Sequence, residues 1–211
     1  MGTELILVRH GQTASNMLGL LHGWTDVTLT EAGLRQAHRV AEHLASIDGI
    51  EHVYSSPLRR ARLTAEAIGR RLGTLPRFRP DLIEMNFGDI EGYSLLGMQR
   101  DFPDLHSRIA DLEDLDLAFP NGESRRDFHM RVRRVFDEVI AAHAGGRLVV
   151  VSHGGVIGSG IAQLTNGSAN DWQRYMVRNC SITRVELHGP GEIEIHCWDD
   201  IAHLDESEGA I

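Results

Sequence analysis

Cysteine is scarce in this 211-residue chain: only Cys180 and Cys197 are present. Two cysteines cannot build a disulfide framework, so the expected setting is a reducing cytoplasm with buried free thiols. The other arrangement two cysteines allow is a pair facing each other across a terminal hairpin. No apolar run approaches the roughly 18 residues of a membrane span, and the N-terminus has no signal-peptide pattern. No membrane partner is therefore expected. Internal repeats, low-complexity blocks and linkers are also missing, which suggests one domain over residues 1–204 with an acidic tail at 205–211. Positive charge is in deficit: the net charge is -9, which argues against a nucleic-acid partner held through its phosphates. A small phosphate ligand stays compatible, because a few local arginines can outweigh the global field. The twelve histidines invite a metal reading, but His38 to His43 reads H-x-x-x-E-H and misses both helical zinc spacings. No metal or other cofactor is expected.

What is present is organised around Leu5-Ile6-Leu7-Val8-Arg9-His10-Gly11-Gln12-Thr13. A short continuous apolar run suits a strand buried on both faces of a sheet. Such strands expose their chemistry at their carboxyl ends. Here that end carries a cation, an imidazole and a glycine, with Asn16 close behind. Leu148-Val149-Val150-Val151 repeats the device and runs into Ser152-His153-Gly154-Gly155. Parallel neighbours open at the same edge, so His10 and His153 can share one pocket.

The intervening chain alternates helix and strand signals. Leu34, Ala37, Ala41 and Leu44 repeat at helical spacing behind a cap at Thr28 or Thr30. Ile50–Ser55 reads as a strand. Ser56 and Pro57 read as the start of a helix with a buried stripe of Leu58, Ala61, Ala65, Ile68 and Leu72. Arg59 and Arg60 then oppose the dipole of its first turn, a conflict that an anion bound beside them would relieve. Residues 93–120 are weakly patterned, with acidic residues and leucines alternating over 111–117, and read as an inserted helical cap. Phe128, Val132, Val135, Phe136 and Val139 mark a long amphipathic helix ended by Gly145-Gly146. A short apolar helix over 156–164 stops at Asn166-Gly167. Two strands, 178–187 and 192–198, joined by Gly189-Pro190-Gly191, form a hairpin. The sum is an α/β three-layer sandwich: a mostly parallel central sheet, helices on both faces and a small helical cap.

Two histidines, two arginines and a carboxylate form a set for metal-free phosphoryl transfer. Arginines and one imidazole neutralise phosphoryl oxygens, the other imidazole attacks phosphorus, and a carboxylate moves the proton. Glu84, lying between apolar neighbours, suits proton donation; as a bare sequence feature it reads equally well as an exposed edge-strand glutamate.

With these residues assembled, the chain resembles the histidine phosphatase superfamily, in the branch that holds cofactor-dependent phosphoglycerate mutases and small phosphatases. The resemblance covers residues 4–188. It rests on Arg9-His10-Gly11-Gln12-Thr13 with Asn16, on Leu29-Thr30-Glu31-Ala32-Gly33, and on Ser55-Ser56-Pro57-Leu58-Arg59-Arg60-Ala61. Glu84, Glu91-Gly92, Gly122-Glu123-Ser124 and Ser152-His153-Gly154-Gly155 add to it. It implies that His10 is phosphorylated, that Arg9, Arg60 and His153 bind the phosphoryl group with Asn16 assisting, and that Glu84 is the acid and then the base. Gln12, Thr13, Gly23, Trp24 and Gly154 are the further expected substrate contacts. Ser15 replaces a usual tryptophan and Thr28 a usual proline, which alters the pocket rim. Mutases of the family tend to be longer and to carry arginine and then tyrosine after the glutamate; here Met85-Asn86-Phe87 follows and the cap is short. The expected function is hydrolysis of a small phosphomonoester from a phosphorylated metabolite. The alternatives are mutase-type transfer and a non-catalytic phospholigand-binding module. A dinucleotide module fails on its motif, because Gln163 stands where G-x-G-x-x-G requires its third glycine. A homodimer is compatible with the sequence.

Overall fold

The two apolar runs form the two central strands of one sheet. In the computed structural model, which describes residues 2–111, 113–189 and 191–204, β1 (Thr3–Arg9) and β4 (Arg147–Ser152) pair in parallel with Arg9 opposite Ser152. On one side of this pair, β2 (Ile50–Ser55) and the two-residue β3 (Arg77–Phe78) extend the sheet in parallel. On the other side, β5 (Ile182–Gly189) runs antiparallel to β1 and carries β6 (Glu192–Asp200) at the edge. The strand order is β3-β2-β4-β1-β5-β6.

Side chains alternate across a strand, and this divides the core into two. Leu5, Leu7, Leu148 and Val150 face one way, onto α6 (Arg125–Ala142) and α7 (Gly154–Asn166). Ile6, Val8, Val149 and Val151 face the other way, onto α2 (Glu31–Leu44) and α3 (Arg59–Leu72). The result is the expected α/β sandwich, three layers deep, with a mixed sheet that is parallel in its central strands. Three further α-helices are short: α1 (Ala14–Met17), α4 (Leu95–Asp101) and α5 (Pro103–Ile109).

Several local expectations need revision. Thr30, rather than Thr28, caps α2 by accepting the Gly33 N–H. Leu34 is 37% exposed and does not belong to the buried face of α2. Helix α3 starts at Arg59, not at Pro57, because Ser56 is drawn into the site and Asp26 receives the Arg59 N–H at 2.6 Å. That aspartate supplies the negative charge which the first turn of α3 demands. Among the described residues of 93–120, only α4 and α5 are helical. The alternating 111–117 stretch is irregular, with Leu117 fully buried and Leu112 outside the described residues. Helix α6 ends at Ala142, before the two glycines, and α7 spans more than its apolar stretch but stops at Gly167 in the left-handed conformation. Strand β5 begins at Ile182, four residues later than expected. The hairpin turn at Pro190 and the tail at 205–211 lie outside the described residues. Neither cysteine forms a disulfide; Cys180 is buried and Cys197 half-buried. No described helix is long and apolar enough to cross a membrane.

Candidate active site

The parallel register of β1 and β4 carries their chemistry to one edge of the sheet. His10 and His153 follow Arg9 and Ser152 directly, and their ring centroids are 5.1 Å apart. Both rings are buried. Nδ1 of His10 lies 2.8 Å from the carbonyl oxygen of Gly11. A carbonyl only accepts, so Nδ1 carries the proton and Nε2 presents a lone pair. Burial, and then the charges of Arg60 and Arg9, hold His10 well below the ordinary imidazole pKa. The ring is neutral at pH 7, as a nucleophile must be.

Arg60 enters from the first turn of α3 and is fully buried. Its Nε donates to Nδ1 of His153 at 3.2 Å, Nη1 to the Thr25 carbonyl at 2.9 Å, and Nη2 to the carbonyls of Gly23 at 2.7 Å and His22 at 3.4 Å. These bonds occupy four of the five N–H donors of a guanidinium. They also fix the tautomer of His153: Nδ1 accepts, so Nε2 donates to Ser56 Oγ at 2.8 Å. Burial and Arg60 lower the His153 pKa strongly as well. Arg9 donates through Nη1 to Val177 O at 2.6 Å, while its buried Nε has no hydrogen-bond partner. A buried cationic donor without an acceptor marks a place where an anion would be welcome.

Glu84 sits on an irregular segment, half-buried, and not on an edge strand. Its carboxylate accepts the N–H groups of Met85 and Gly155, both at 2.9 Å. The second of these belongs to the first turn of α7, so Glu84 lies at a helix N-terminus that favours its charge. A methyl group on Gly155 would stand 2.5 Å from Glu84 Oε1. Gly23 is needed in the same sense: a Cβ there would overlap the carbonyl oxygen of Met85. Trp24 is 49% exposed, yet its Nε1 donates to the backbone carbonyl of Glu84 at 3.0 Å.

The other expected contacts divide. Asn16 and Thr13 form a reciprocal cap on α1, with Thr13 N and Oγ1 both donating to Asn16 Oδ1. Gln12 is buried and bonded toward α2: its backbone N–H donates to Gln36 Oε1 at 2.8 Å, and its side-chain Oε1 accepts from Thr30 Oγ1 at 2.9 Å. Gly154 lies beside Arg9 and Met176, where a Cβ would meet Met176 Cε at 2.9 Å.

Five residues around the site went unassigned in the sequence. Ser56 holds His153. Asn179, buried, donates to the His10 carbonyl at 2.8 Å. His22 lies 6.1 Å from the His10 ring, and burial and Arg60 bring it down to about 4. Glu91 receives the N–H groups of Trp24 at 2.7 Å and Thr25 at 2.6 Å. Burial opposes its charge, but these bonds outweigh burial and keep it below the usual carboxylate range. Arg131 on α6 grips the segment carrying Glu84 through the carbonyls of Asp81, Ile83 and Glu84, and pairs with Glu123 at 2.8 Å. Among the described residues, no cluster of three or more metal-ligating side chains is present.

A mixed α/β sheet carries two buried histidines, the buried Arg60 and the partly buried Arg9 at one end of its parallel strands, and comparison with known proteins gives this arrangement a family. The profile of the histidine phosphatase superfamily, branch 1, matches residues 5–201. The chain belongs to that superfamily and is an enzyme of it. Phosphoglycerate mutase-like protein 4 of Arabidopsis thaliana is 34% identical over 206 residues, which cover 97% of this chain and 88% of that protein. The mycobacterial glucosyl-3-phosphoglycerate phosphatase structure is 31% identical with a TM-score of 0.83, covering 94% of this chain and 99% of that one. The phosphoserine phosphatase of Entamoeba histolytica, solved in complex with 3-phosphoglyceric acid, is 27% identical with a TM-score of 0.82, covering 96% and 99%.

Proposed function

We propose that this chain is a phosphatase that hydrolyses a small phosphomonoester through a phosphohistidine on His10. The observation that carries this reading is the His10 ring: neutral, with Nδ1 committed to the Gly11 carbonyl and Nε2 open among Arg9, Arg60 and His153. The substrate's phosphoryl oxygens lie against the guanidinium of Arg9, whose Nε lacks a partner, and against Arg60 and His153, with the His153 Nε2–H exchanging Ser56 Oγ for a phosphoryl oxygen. The arginines supply the positive charge that a metal ion supplies in other phosphotransferases.

In the first step, the Nε2 lone pair forms a bond to phosphorus as the bond to the ester oxygen breaks, and Glu84 gives that oxygen its proton. Gly11 O stabilises the positive charge that builds on the ring through Nδ1–H. In the second step, water attacks phosphorus, Glu84 takes its proton, the P–N bond breaks and inorganic phosphate leaves. The segment 93–120 acts as the cap, and Trp24 and Gly23 shape the opposite wall. The cytoplasm is the proposed compartment.

Mutase-type transfer is the second reading, favoured by the name of the Arabidopsis relative. Met85 speaks for hydrolysis: its side chain is buried in the core and offers no cation to a carboxylated bisphosphate. Rapid quench with labelled substrate tests the mechanism. An acid-labile, alkali-stable phosphoenzyme is expected in the wild type and absent in His10→Ala; the same adduct in His10→Ala would place the nucleophile elsewhere. With 3-phosphoglycerate and a bisphosphate primer, hydrolysis should exceed isomerisation.

A further inference from the structure

A cavity of about 570 Å³ opens beside Glu84, on the side of that carboxylate reached by Gly155. That volume lies within the range of small-molecule sites. Its walls are largely apolar, with Leu21, Met85, Phe87, Phe119, Phe128 and Trp172 among the lining residues and His106 and Gln173 as polar members beside Glu84 and Arg125. Leu95, 57% exposed, and Met176, 42% exposed, also face it, so apolar surface is left open to water there. The buried cation in the wall, Arg125, is already engaged. Its guanidinium donates to the backbone carbonyls of Ile109 at 2.7 Å, Asp111, and Asp114 at 3.4 Å. It pins the chain between α5 and α6.

Position gives this cavity its role. In the phosphatase reading, on which this inference rests, Glu84 protonates the ester oxygen as it leaves. Whatever that oxygen carries must extend past Glu84, away from His10. We propose that the cavity receives this leaving group, and that the enzyme prefers phosphomonoesters whose alcohol bears an apolar body of aromatic-ring or short-alkyl size. Phosphoserine, phosphoglycerates and sugar phosphates would bury polar groups against carbon, with few donors to compensate them.

The test holds the chemistry constant and varies apolar bulk. Ethyl, butyl and 3-phenylpropyl phosphates release alcohols of similar acidity, so differences in kcat/KM report the pocket. Each buried methylene is worth about fourfold, and the 3-phenylpropyl ester should exceed the ethyl ester by roughly tenfold or more. Phosphoserine and 3-phosphoglycerate should fall at or below the ethyl ester. Leu95→Asp places a charge on the cavity wall at the first position of α4, where an acid suits the helix dipole. It should cut the phenylpropyl-to-ethyl ratio about fivefold or more, with folding checked by thermal melting. If that variant fails to fold, the wild-type series decides alone. A flat or inverted series on the wild type overturns the proposal and leaves the phosphatase reading standing. No hydrolysis of any ester, p-nitrophenyl phosphate included, removes the phosphatase reading and this proposal with it.

Discussion

Arg60 donates from Nε to Nδ1 of His153 at 3.2 Å, although the two residues are 93 positions apart and both are buried. The bond joins the first turn of α3 to the end of β4. It sets the His153 tautomer, while the same guanidinium ties down the 22–25 loop. A lysine has one compact ammonium and cannot span His153 and the carbonyls of Gly23 and Thr25 at once. Arg60→Lys should therefore lower kcat/KM for any phosphomonoester by roughly 10²–10³, as for loss of a preorganised oxyanion donor. Its Tm should fall too, because stranded buried carbonyls cost about 1–3 kcal/mol each. Arg59→Lys, on the exposed neighbour, should change neither. Steady-state kinetics and melting curves on the two variants decide this, and an undiminished Arg60→Lys would take Arg60 out of phosphoryl binding.

Glu84 depends on the absence of a side chain at Gly155. An alanine methyl there would sit 2.5 Å from Glu84 Oε1, and the backbone N–H of residue 155 is one of the carboxylate's two donors. Gly155→Ala should push the carboxylate off its seat and cost about 10²-fold in kcat/KM on alkyl phosphates. The loss on p-nitrophenyl phosphate should be much smaller. Equal losses would mean that the methyl disturbs the phosphoryl pocket itself.

The buried histidines make stability depend on pH in one direction. Burial, with Arg125 adding to it, lowers His129 to about 4, and His22 also comes to about 4. Below pH 6.5 the unfolded chain takes up a proton at His129 that the folded chain refuses until about pH 4. The stability conferred by the neutral ring is whole above pH 6.5 and is lost as pH falls through that interval, up to about 3 kcal/mol for His129. His10 and His153 act in the same direction. Urea unfolding at pH 7 and pH 5 should show the wild type losing stability on acidification. In His129→Gln the difference between the two pH values should shrink by roughly 2 kcal/mol. A variant with an unchanged pH dependence would show that His129 titrates alike in both states.

The legible part of this protein was whatever depends on period and on strand ends. Leu5–Val8 and Leu148–Val151 announced central strands, and their shared His-Gly endings placed two imidazoles together before any coordinates. The helical stripes of α3 and α6 were readable for the same reason. Contacts between distant backbone and side chain were not legible. Nothing in Ser56 or Asn179 distinguishes a ring-holding hydroxyl or a buried amide from ordinary turn residues. Arg131 reads as one more surface arginine on an amphipathic helix until its donors are seen on three carbonyls of the Glu84 segment. The bonds that hold Gln12 were equally invisible: its backbone N–H and Oε1 are tied to Gln36 and Thr30 of the α2 region. Leu34 followed the helical period but lies where α2 meets water.

The proton carried by Glu84 should be visible through the leaving group. An alkoxide leaves poorly and needs that proton in the transition state, whereas a nitrophenolate leaves without one. Glu84→Gln keeps the size of the side chain and an oxygen that can still accept from Gly155 N–H, but it has no carboxyl proton to give. Loss of a general acid costs roughly 10²–10⁴ in rate. That loss should appear in kcat/KM for alkyl phosphates and be far smaller for p-nitrophenyl phosphate. The parameter matters, because kcat can instead report hydrolysis of the phosphohistidine, where Glu84 acts as base and both substrates share one intermediate. In kcat, therefore, the two substrates should fall together. If Glu84 only braced the N-terminus of α7, kcat/KM would fall by one factor for both esters and Tm would drop with it. Equal kcat/KM losses in a variant that melts like the wild type would remove Glu84 from the acid role.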